Sequence, residues 1–328
     1  MAPFRECFFR AMNTDIQVSL GTDVSLQEDV TNWFSRIERR FSRFLPDSEL
    51  SRINKLSGKT TLISAAMAEV LALAEMYRHK TDGIFHFMLL DALQHAGYSR
   101  SFEQLAPMRD ILAEPPVPHD SQIYLNAAMR SVKLSPGTHI DLGGIVKGWS
   151  VDRLSDWLKR EMHVTRGLLN AGGDLFVWGG FDEDEPWLVG IADPYNKEVE
   201  IAQIALADGA VATSSVLGRR WQTKHGDMHH LIDPRTLRPS KSEIVQCTIV
   251  GSHVTECEVW AKVACIVGLS AFLPLLRRHL PHCDALLVTQ TGELHFAGDR
   301  NRFEERWHGA AVDFIHDTIV QEGWIHHG

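Results

Sequence analysis

Hydrophobic residues recur at helical spacing in five segments of the chain. In the first segment Val30, Phe34 and Phe41 fall on one face, while charged side chains lie mostly on the other. This pattern is typical of an amphipathic helix that packs on a core. The predicted helices cover Leu26–Phe44, Ser64–Thr81, a stretch that opens at Lys147, Thr255–Val267 and Ser270–Leu280.

Shorter apolar or alternating segments, bounded by glycine, proline and polar residues, predict β-strands. The first predicted strand covers residues 7–20, with Met12 inside it, and residues 42–54 are expected to form a polar turn. Residues 101–121 are polar and contain proline, which predicts a surface excursion. Other predicted strands cover Gln122–Asn126, Ser131–Leu134, Gly167–Asn170, Pro186–Ala192, Glu198–Leu206, Gly209–Ser215, Val245–Val250, Ala285–Thr289 and Leu294–Ala297.

Helices and strands alternate without an internal repeat, a low-complexity segment or an obvious linker. Both kinds of element must therefore share one body, which predicts an α+β fold. The last 25 or so residues show no clear period. We expect a single domain over residues 1–300 and a C-terminal extension over residues 301–328.

The composition is that of a soluble globular protein, with 44% hydrophobic and 23% charged residues. A formal net charge of −9 argues against general binding to nucleic acids or to anionic membranes. No segment resembles a transmembrane span, a secretory signal or a membrane anchor. The five cysteines are scattered and form no CxxC pair, which predicts reduced thiols in a cytoplasmic protein.

The central block, residues 138–152, contains the clearest binding signal. Asp141 ends a short apolar run that predicts a strand, and Gly143 and Gly144 follow at once. Lys147 then opens a helix. Free amides at a helix start, glycines that permit close approach and a nearby lysine together suit a phosphate. The spacing is not that of a Walker A loop, and an ordinary tight turn before a helix also explains the glycines.

A second candidate site lies in the sequence His-His-Leu-Ile-Asp-Pro, which contains His230. A histidine titrates near neutrality and can act as a general base, but it can also simply cap the turn at Asp233. Asp233 could orient the imidazole or merely start the turn. His225, His229, His230 and Asp233 also allow a metallohydrolase, although no HExxH-like helix accompanies them.

Seven short blocks stand in a fixed order along the chain: DSELSRIN (47–54), TDGIF (81–85), DLGGIVKGWSVD (141–152), LNAGGDL (169–175), VATSS (211–215), HLIDPRT (230–236) and AKVACIVG (261–268). Taken together, from Met12 to about Ala297, they resemble the ApbE family, the FAD:protein FMN transferases. The resemblance implies two closely packed α/β lobes with mixed sheets and a flavin cleft between them. It also implies an activity in which FAD is cleaved, FMN is attached through a phosphoester to a threonine or serine of an acceptor flavoprotein, and AMP is released.

The resemblance carries over to individual residues. It assigns catalysis to His230 and a magnesium ligand to the backbone carbonyl of Gly144. The FAD contacts that it implies are Met12, Ser48, Asn54, Phe85, Asp141, Lys147 and Thr213.

Two positions depart from the pattern of the family. Glu258 and Lys262 stand where the family commonly has an aspartate and a threonine that bind magnesium. A protonated lysine cannot bind a hard cation. Either its ammonium partly replaces the charge of the metal, or Lys262 forms a plain i,i+4 ion pair with Glu258 on the helix surface. At the second position His86 replaces an aspartate, which is expected to alter a contact in the flavin site.

These departures leave a second function open. A homologue that binds FAD without transferring FMN, or that hydrolyses FAD, is favoured by Lys262 and His86. The transferase is favoured by His230, Asp141 and Lys147, which the sequence retains.

Overall fold

The computed structural model describes residues 2–104, 108–109, 121–182, 184–224 and 226–318. His225, most of the predicted surface excursion at 101–121, and residues 319–328 of the predicted extension lie outside these ranges. The helices are α1 (Gln27–Phe41), α2 (Glu49–Lys55), α3 (Ala65–Lys80), α4 (Leu90–His95), α5 (Val146–Arg160), α6 (Val254–Val267), α7 (Leu269–His279) and α8 (Arg300–Arg306), with a short 3₁₀ turn at Phe102–Gln104.

The strands alternate with these helices and gather mainly in the second half of the chain. They are β1 (Phe4–Ala11), β2 (Thr14–Gly21), β3 (Thr61–Leu62), β4 (Met108–Arg109), β5 (Ile123–Asn126), β6 (Ser131–Leu134), β7 (Gly167–Ala171), β8 (Asp174–Trp178), β9 (Trp187–Ala192), β10 (Glu200–Leu206), β11 (Gly209–Ser215), β12 (Arg220–Thr223), β13 (Gly226–His229), β14 (Ile232–Asp233), β15 (Arg238–Pro239), β16 (Ile244–Gly251), β17 (Asp284–Thr289), β18 (Leu294–Gly298), β19 (Trp307–His308) and β20 (Phe314–Asp317).

A nine-stranded sheet forms the centre of the molecule, in the order β1-β2-β7-β8-β11-β16-β17-β18-β20. Its neighbours run antiparallel except for β18 and β20, which are parallel. Smaller sheets surround it, among them β19-β10-β9. Helices and a mixed sheet thus share one architecture, and the predicted α+β fold is confirmed.

Both faces of the central sheet are covered. Along β17, Ala285 and Leu287 pack with the helices, whereas Leu286 and Val288 pack on the other side with strands β9 and β10. Because side chains alternate between the two faces, every residue of β17 is buried. This explains why such strands read as continuous apolar runs instead of alternating ones.

Two long insertions create the space for a site. Residues 22–166 lie between the paired strands β2 and β7, and residues 216–243 lie between the paired strands β11 and β16. Helix α6 packs beside both insertions, against β11, β16 and α5. A cleft forms where these parts meet.

Two predictions for the N-terminal region are wrong. Residues 7–20 form a hairpin in place of one strand, because Met12 and Asn13 take positive φ values of 54° and 56° and Ala11 pairs with Thr14. Two such residues make the tight turn that antiparallel strands favour. The expected turn at 42–54 contains helix α2, whose first turn is capped by the Ser48 hydroxyl accepting from the amide of Ser51 at 2.9 Å.

The strand expected before the glycine pair is absent, since residues 138–142 are irregular. A side chain replaces the missing neighbouring strand. The side-chain Nδ2 of Asn54 donates to the backbone carbonyl of Ile140 at 2.9 Å, and its Oδ1 accepts from the backbone amide of Ile140 at 2.8 Å. The apolar run is therefore buried without sheet pairing.

The C-terminal region contributes strands to two sheets. Strand β20 extends the central sheet beside β18, and Trp307 of β19 pairs with Ile204 of β10. The division of the chain at residue 300 stays a prediction. No helix among the described residues is both long and apolar enough to cross a membrane.

Candidate active site

A cleft that is partly open to solvent lies between the two insertions and α6. The structure brings together most of the residues that the sequence singled out. Those that line the cleft are Met12, Phe85, His86, Asp141, Gly144, Lys147, His230 and Lys262.

Asp141 is held in the cleft by its own segment and by a buried arginine. Its amide donates to the Phe87 carbonyl at 2.8 Å. The Nε atom of Arg43 lies 3.2 Å from Oδ1 of Asp141, and the arginine side chain is only 5% exposed. The guanidinium also lies 4.5 Å from the centre of the Tyr98 ring, and its Nη1 donates to the Tyr98 carbonyl. Sequence reasoning missed Arg43.

Lys147, in the first turn of α5, is paired with two buried carboxylates. Its Nζ lies 3.3 Å from Oε1 of Glu258 and forms a second ion pair with Asp174. Burial lowers the pKa of Lys147 to about 8, although the Glu258 charge opposes that shift. Asp174 was not predicted as a site residue; it follows the turn at Gly172 and Gly173 that ends β7.

Glu258 and Lys262 form an ion pair of 3.0 Å, but not on the helix surface. The Glu258 side chain is 0% exposed, so the expectation of a surface pair is wrong. Burial opposes ionisation of Glu258, and the two neighbouring ammonium groups outweigh that effect and lower its pKa. Its Oε2 accepts from the amide of Gly148 at 2.8 Å.

Helices α5 and α6 cap each other. Gly148 is the third residue of α5, and its amide, which has no partner within the helix, donates to Glu258 of α6. In return the Asp152 carboxylate of α5 accepts from the amides of Val254 and Thr255, the first residues of α6, at 2.8 and 2.9 Å. Glycine is required at 148, since a Cβ there would lie 2.8 Å from Thr255 backbone atoms.

His230 is partly buried at the wall of the cleft. Burial first, and then the charges of Arg219 and Lys262, lower its pKa well below the usual value. Its Nδ1 is buried without a hydrogen-bond partner among the described residues. Asp233 does not orient the ring, because its carboxylate accepts from the amide and side chain of Arg235. The imidazole is therefore neutral at pH 7 and able to accept a proton.

Arg219 is a second cleft residue that sequence reasoning missed. It is half-buried, and no ion pair is found for it within the described part of the chain, unlike Arg43, Lys147 and Lys262. Its charge is consequently available to an anionic ligand. The only sequence signal was its place at the head of the segment that leads to His230.

A family model described as the ApbE family matches residues 12–287. The chain belongs to the ApbE family. It is 24% identical to the FAD:protein FMN transferase of Klebsiella pneumoniae over 277 residues, which cover 83% of this chain and 84% of that protein. It is 26% identical to the FAD:protein FMN transferase of Treponema pallidum over 280 residues, covering 80% and 76%.

Solved structures of ApbE proteins share the fold. The ApbE protein of Thermotoga maritima superposes with a TM-score of 0.79 at 23% identity, over 89% of this chain and 96% of that one. The flavin transferase ApbE of Vibrio cholerae gives a TM-score of 0.71 at 20% identity, over 90% and 96%. The chain therefore has the fold of the solved ApbE proteins.

Three residues that the ApbE resemblance assigns to FAD do not line the cleft. Ser48 caps α2, and Asn54 holds the backbone of Ile140 just ahead of Asp141. Thr213 shares a hydrogen bond of 2.8 Å with Thr248 on the neighbouring strand. Their contact with FAD stays a prediction, and each has a structural role in this chain.

The residues present do not fit the magnesium site that the ApbE resemblance implies. Oε1 of Glu258 faces two ammonium groups, and its Oε2 accepts a backbone amide. Among the described residues, no group of three or more His, Cys, Asp or Glu side chains could hold a metal ion. The metallohydrolase alternative stays a prediction, since His225 is outside the described residues; His229 lies against the Ser240 carbonyl.

Proposed function

We propose that this protein is an FAD:protein FMN transferase. It binds FAD in the cleft, breaks the pyrophosphate and transfers FMN to a threonine or serine of an acceptor flavoprotein. Relatives of that name span most of the chain and support the proposal. The observation that carries it is the geometry of the cleft, where the imidazole of His230 lies in the same lining as the ammonium of Lys147 and the glycine turn.

The bonds formed and broken, and the proton released, can all be accounted for in this cleft. The acceptor hydroxyl oxygen forms a bond to the FMN phosphorus, the bridging P–O bond breaks, and AMP leaves with the bridging oxygen. The hydroxyl proton passes to a ring nitrogen of His230, whose low pKa leaves that nitrogen unprotonated. Cations in the cleft stabilise the charge on the non-bridging and departing oxygens.

The lining of the cleft suggests how FAD lies. Met12 and Phe85 offer apolar and aromatic surface to the isoalloxazine ring. Gly143, Gly144 and Lys147 offer a glycine turn and an ammonium to the pyrophosphate. Magnesium at Gly144 and Glu258 has no part in this mechanism, because the oxygens of Glu258 already have partners.

We further propose a cytoplasmic location and an acceptor flavoprotein exposed to that compartment. All five cysteines are free and four of them are buried, as is usual where thiols stay reduced. A homologue that binds or hydrolyses FAD without transferring FMN is the alternative, and it is favoured by the pairing of Lys262 with Glu258 in place of metal ligands.

Incubation with FAD and candidate acceptor flavoproteins tests the proposal. Transfer leaves fluorescent flavin on the acceptor in a denaturing gel, together with an equal amount of AMP, whereas hydrolysis yields AMP without any acceptor. His230→Ala should retain FAD binding and lower transfer by roughly 10²–10⁴-fold, the usual effect of losing a general base. His229→Ala is the matched control and should retain transfer. Unchanged transfer in His230→Ala would rule out the proposed role.

A further inference from the structure

The side chain of Lys262 covers the place that the family resemblance gives to a metal. A Cβ built on Gly144 would lie 3.4 Å from Cε of Lys262 and 3.5 Å from Cδ, so the lysine stem packs on this glycine. The Nζ atom continues to Glu258, at 3.0 Å from Oε1 and 3.3 Å from the backbone carbonyl. One lysine therefore contacts both of the residues that the resemblance gives as metal ligands.

Both carboxylate oxygens of Glu258 already have partners. Oε1 of Glu258 receives Lys262 at 3.0 Å and Lys147 at 3.3 Å, while Oε2 receives the Gly148 amide at 2.8 Å. Magnesium demands near-octahedral oxygen ligands at about 2.0–2.1 Å. Binding it here would require both ammonium groups to withdraw from a fully buried carboxylate.

The positive and negative charges of this cluster of four side chains also balance. Lys147 and Lys262 carry two positive charges, and Asp174 and Glu258 carry two negative ones, with both carboxylates buried. A dication added here would leave a buried excess of positive charge, which is costly.

The same ammonium groups can still serve an anionic ligand. Each has three N–H donors. Lys262 uses two of them on Glu258, and Lys147 pairs with one oxygen each of Asp174 and Glu258, so a third donor remains on each. Both side chains line the cleft. Arg219 adds a further cation, for which the described residues provide no carboxylate partner.

We propose that Lys262 replaces the divalent metal at this site, so that the pyrophosphate of FAD is bound and cleaved with fixed cations alone. The proposal rests on the transferase function for its activity readout. Its binding readout does not depend on that function.

The test combines chelation with direct metal binding. In the wild-type protein, excess EDTA should change neither FMN transfer nor the affinity for FAD. Mn²⁺, followed by electron paramagnetic resonance as a probe for Mg²⁺, should remain free in the presence of the protein, with or without FAD. Transfer that stops in EDTA and returns with Mg²⁺, or stoichiometric Mn²⁺ binding to wild-type protein, would overturn the proposal.

Two variants make the test specific to Lys262. Lys262→Thr restores a neutral oxygen beside Glu258, and it should create both Mn²⁺ binding and a Mg²⁺ requirement for transfer. Lys262→Met removes the charge without supplying an oxygen. It should weaken FAD binding by about 10–100-fold, whether or not Mg²⁺ is present, which is the effect of losing one charge-assisted hydrogen bond.

Lys80→Met is the matched control. Lys80, at the end of α3, forms a 3.2 Å ion pair with Glu256 of α6, the helix that carries Lys262, but Lys80 lies outside the cleft lining. Thermal unfolding confirms that each variant is folded. If no condition gives FMN transfer, the proposed function fails. The Mn²⁺ titrations and the FAD affinities then still decide whether Lys262 excludes the metal: Mn²⁺ bound by wild type contradicts it, and Mn²⁺ bound only by Lys262→Thr supports it.

Discussion

The guanidinium of Arg43 and the carboxylate of Asp141 form a 3.2 Å ion pair between two segments that flank the cleft. Removing one partner of a buried pair leaves the other charge uncompensated, which commonly costs about 3–5 kcal/mol. Because Asp141 is 19% exposed, we expect the lower part of that range for Arg43→Leu, about 3 kcal/mol, measured by chemical denaturation.

Arg39→Leu serves as the control for this prediction, since Arg39 lies on the exposed face of α1. It should change the free energy of unfolding by less than about 0.5 kcal/mol. Equal stabilities of the two variants would show that the Arg43–Asp141 pair contributes little.

Arg219 and Arg220 are adjacent but face different surroundings. Arg219 lines the cleft without an ion pair in the described structure, whereas Arg220 is 48% exposed and pairs with Asp227. Arg219→Met should weaken FAD binding by about 10–100-fold, as expected for a charge-assisted contact to phosphate. Arg220→Met should leave it unchanged. Calorimetric titration with FAD measures both, and equal affinities would assign Arg219 no contact with the ligand.

The low pKa of His230 predicts a shifted pH profile. Burial and the charges of Arg219, Lys262 and His229 keep the imidazole neutral below the usual histidine pKa of 6.5. The rate of FMN transfer should therefore hold constant as the pH falls through 6.5 and decline only at lower pH. A decline centred at 6.5 or above would contradict the assignment.

The same shift affects stability. Below pH 6.5 the unfolded chain binds a proton at His230 that the folded chain does not, so the free energy of unfolding falls as the pH is lowered. We expect this fall to be shallower in His230→Gln than in wild type. The exposed His282, substituted by Gln, controls for the loss of an imidazole.

Substitution of Asn54 tests whether this residue, predicted to contact flavin, instead supports the backbone beside the cleft. Its two hydrogen bonds satisfy both backbone groups of Ile140. Asn54→Leu leaves the buried amide and carbonyl of Ile140 unpaired, and it should lower the free energy of unfolding by about 2–6 kcal/mol, since each orphaned group costs about 1–3 kcal/mol. Asn54→Asp keeps the acceptor and should cost less. A stable Asn54→Leu variant with weakened FAD binding would favour direct contact.

Four helices lie within a few residues of their predicted bounds: α1, α3, α6 and α7. In α1 the buried residues recur on one face, which is the pattern that sequence periodicity detects. Helix α6 is buried on nearly all sides and was marked instead by its long apolar run, which ends at Gly268. Helix α2 was missed, since seven residues are too few to establish a period. Its beginning was nevertheless marked by Ser48, a preferred capping residue.

Within the site, sequence patterns revealed the groups that are neighbours along the chain. The glycine pair and Lys147 at the start of α5 could be recognised because they are neighbours in sequence. Arg43, Asp174 and Arg219 could not, because their roles depend on which distant segments meet. The burial of the Glu258–Lys262 pair likewise depends on α5 crossing α6 at Gly148.

The reciprocal caps of α5 and α6 have a consequence for hydrogen exchange. Neither helix can fray at its start without releasing a carboxylate of the other, through Glu258 in one direction and Asp152 in the other. The amides of Gly148, Val254 and Thr255 should thus exchange with deuterium in one concerted opening. That opening also frees Lys147 and Lys262, so the rate of these three amides reports how often the pyrophosphate end of the cleft comes apart.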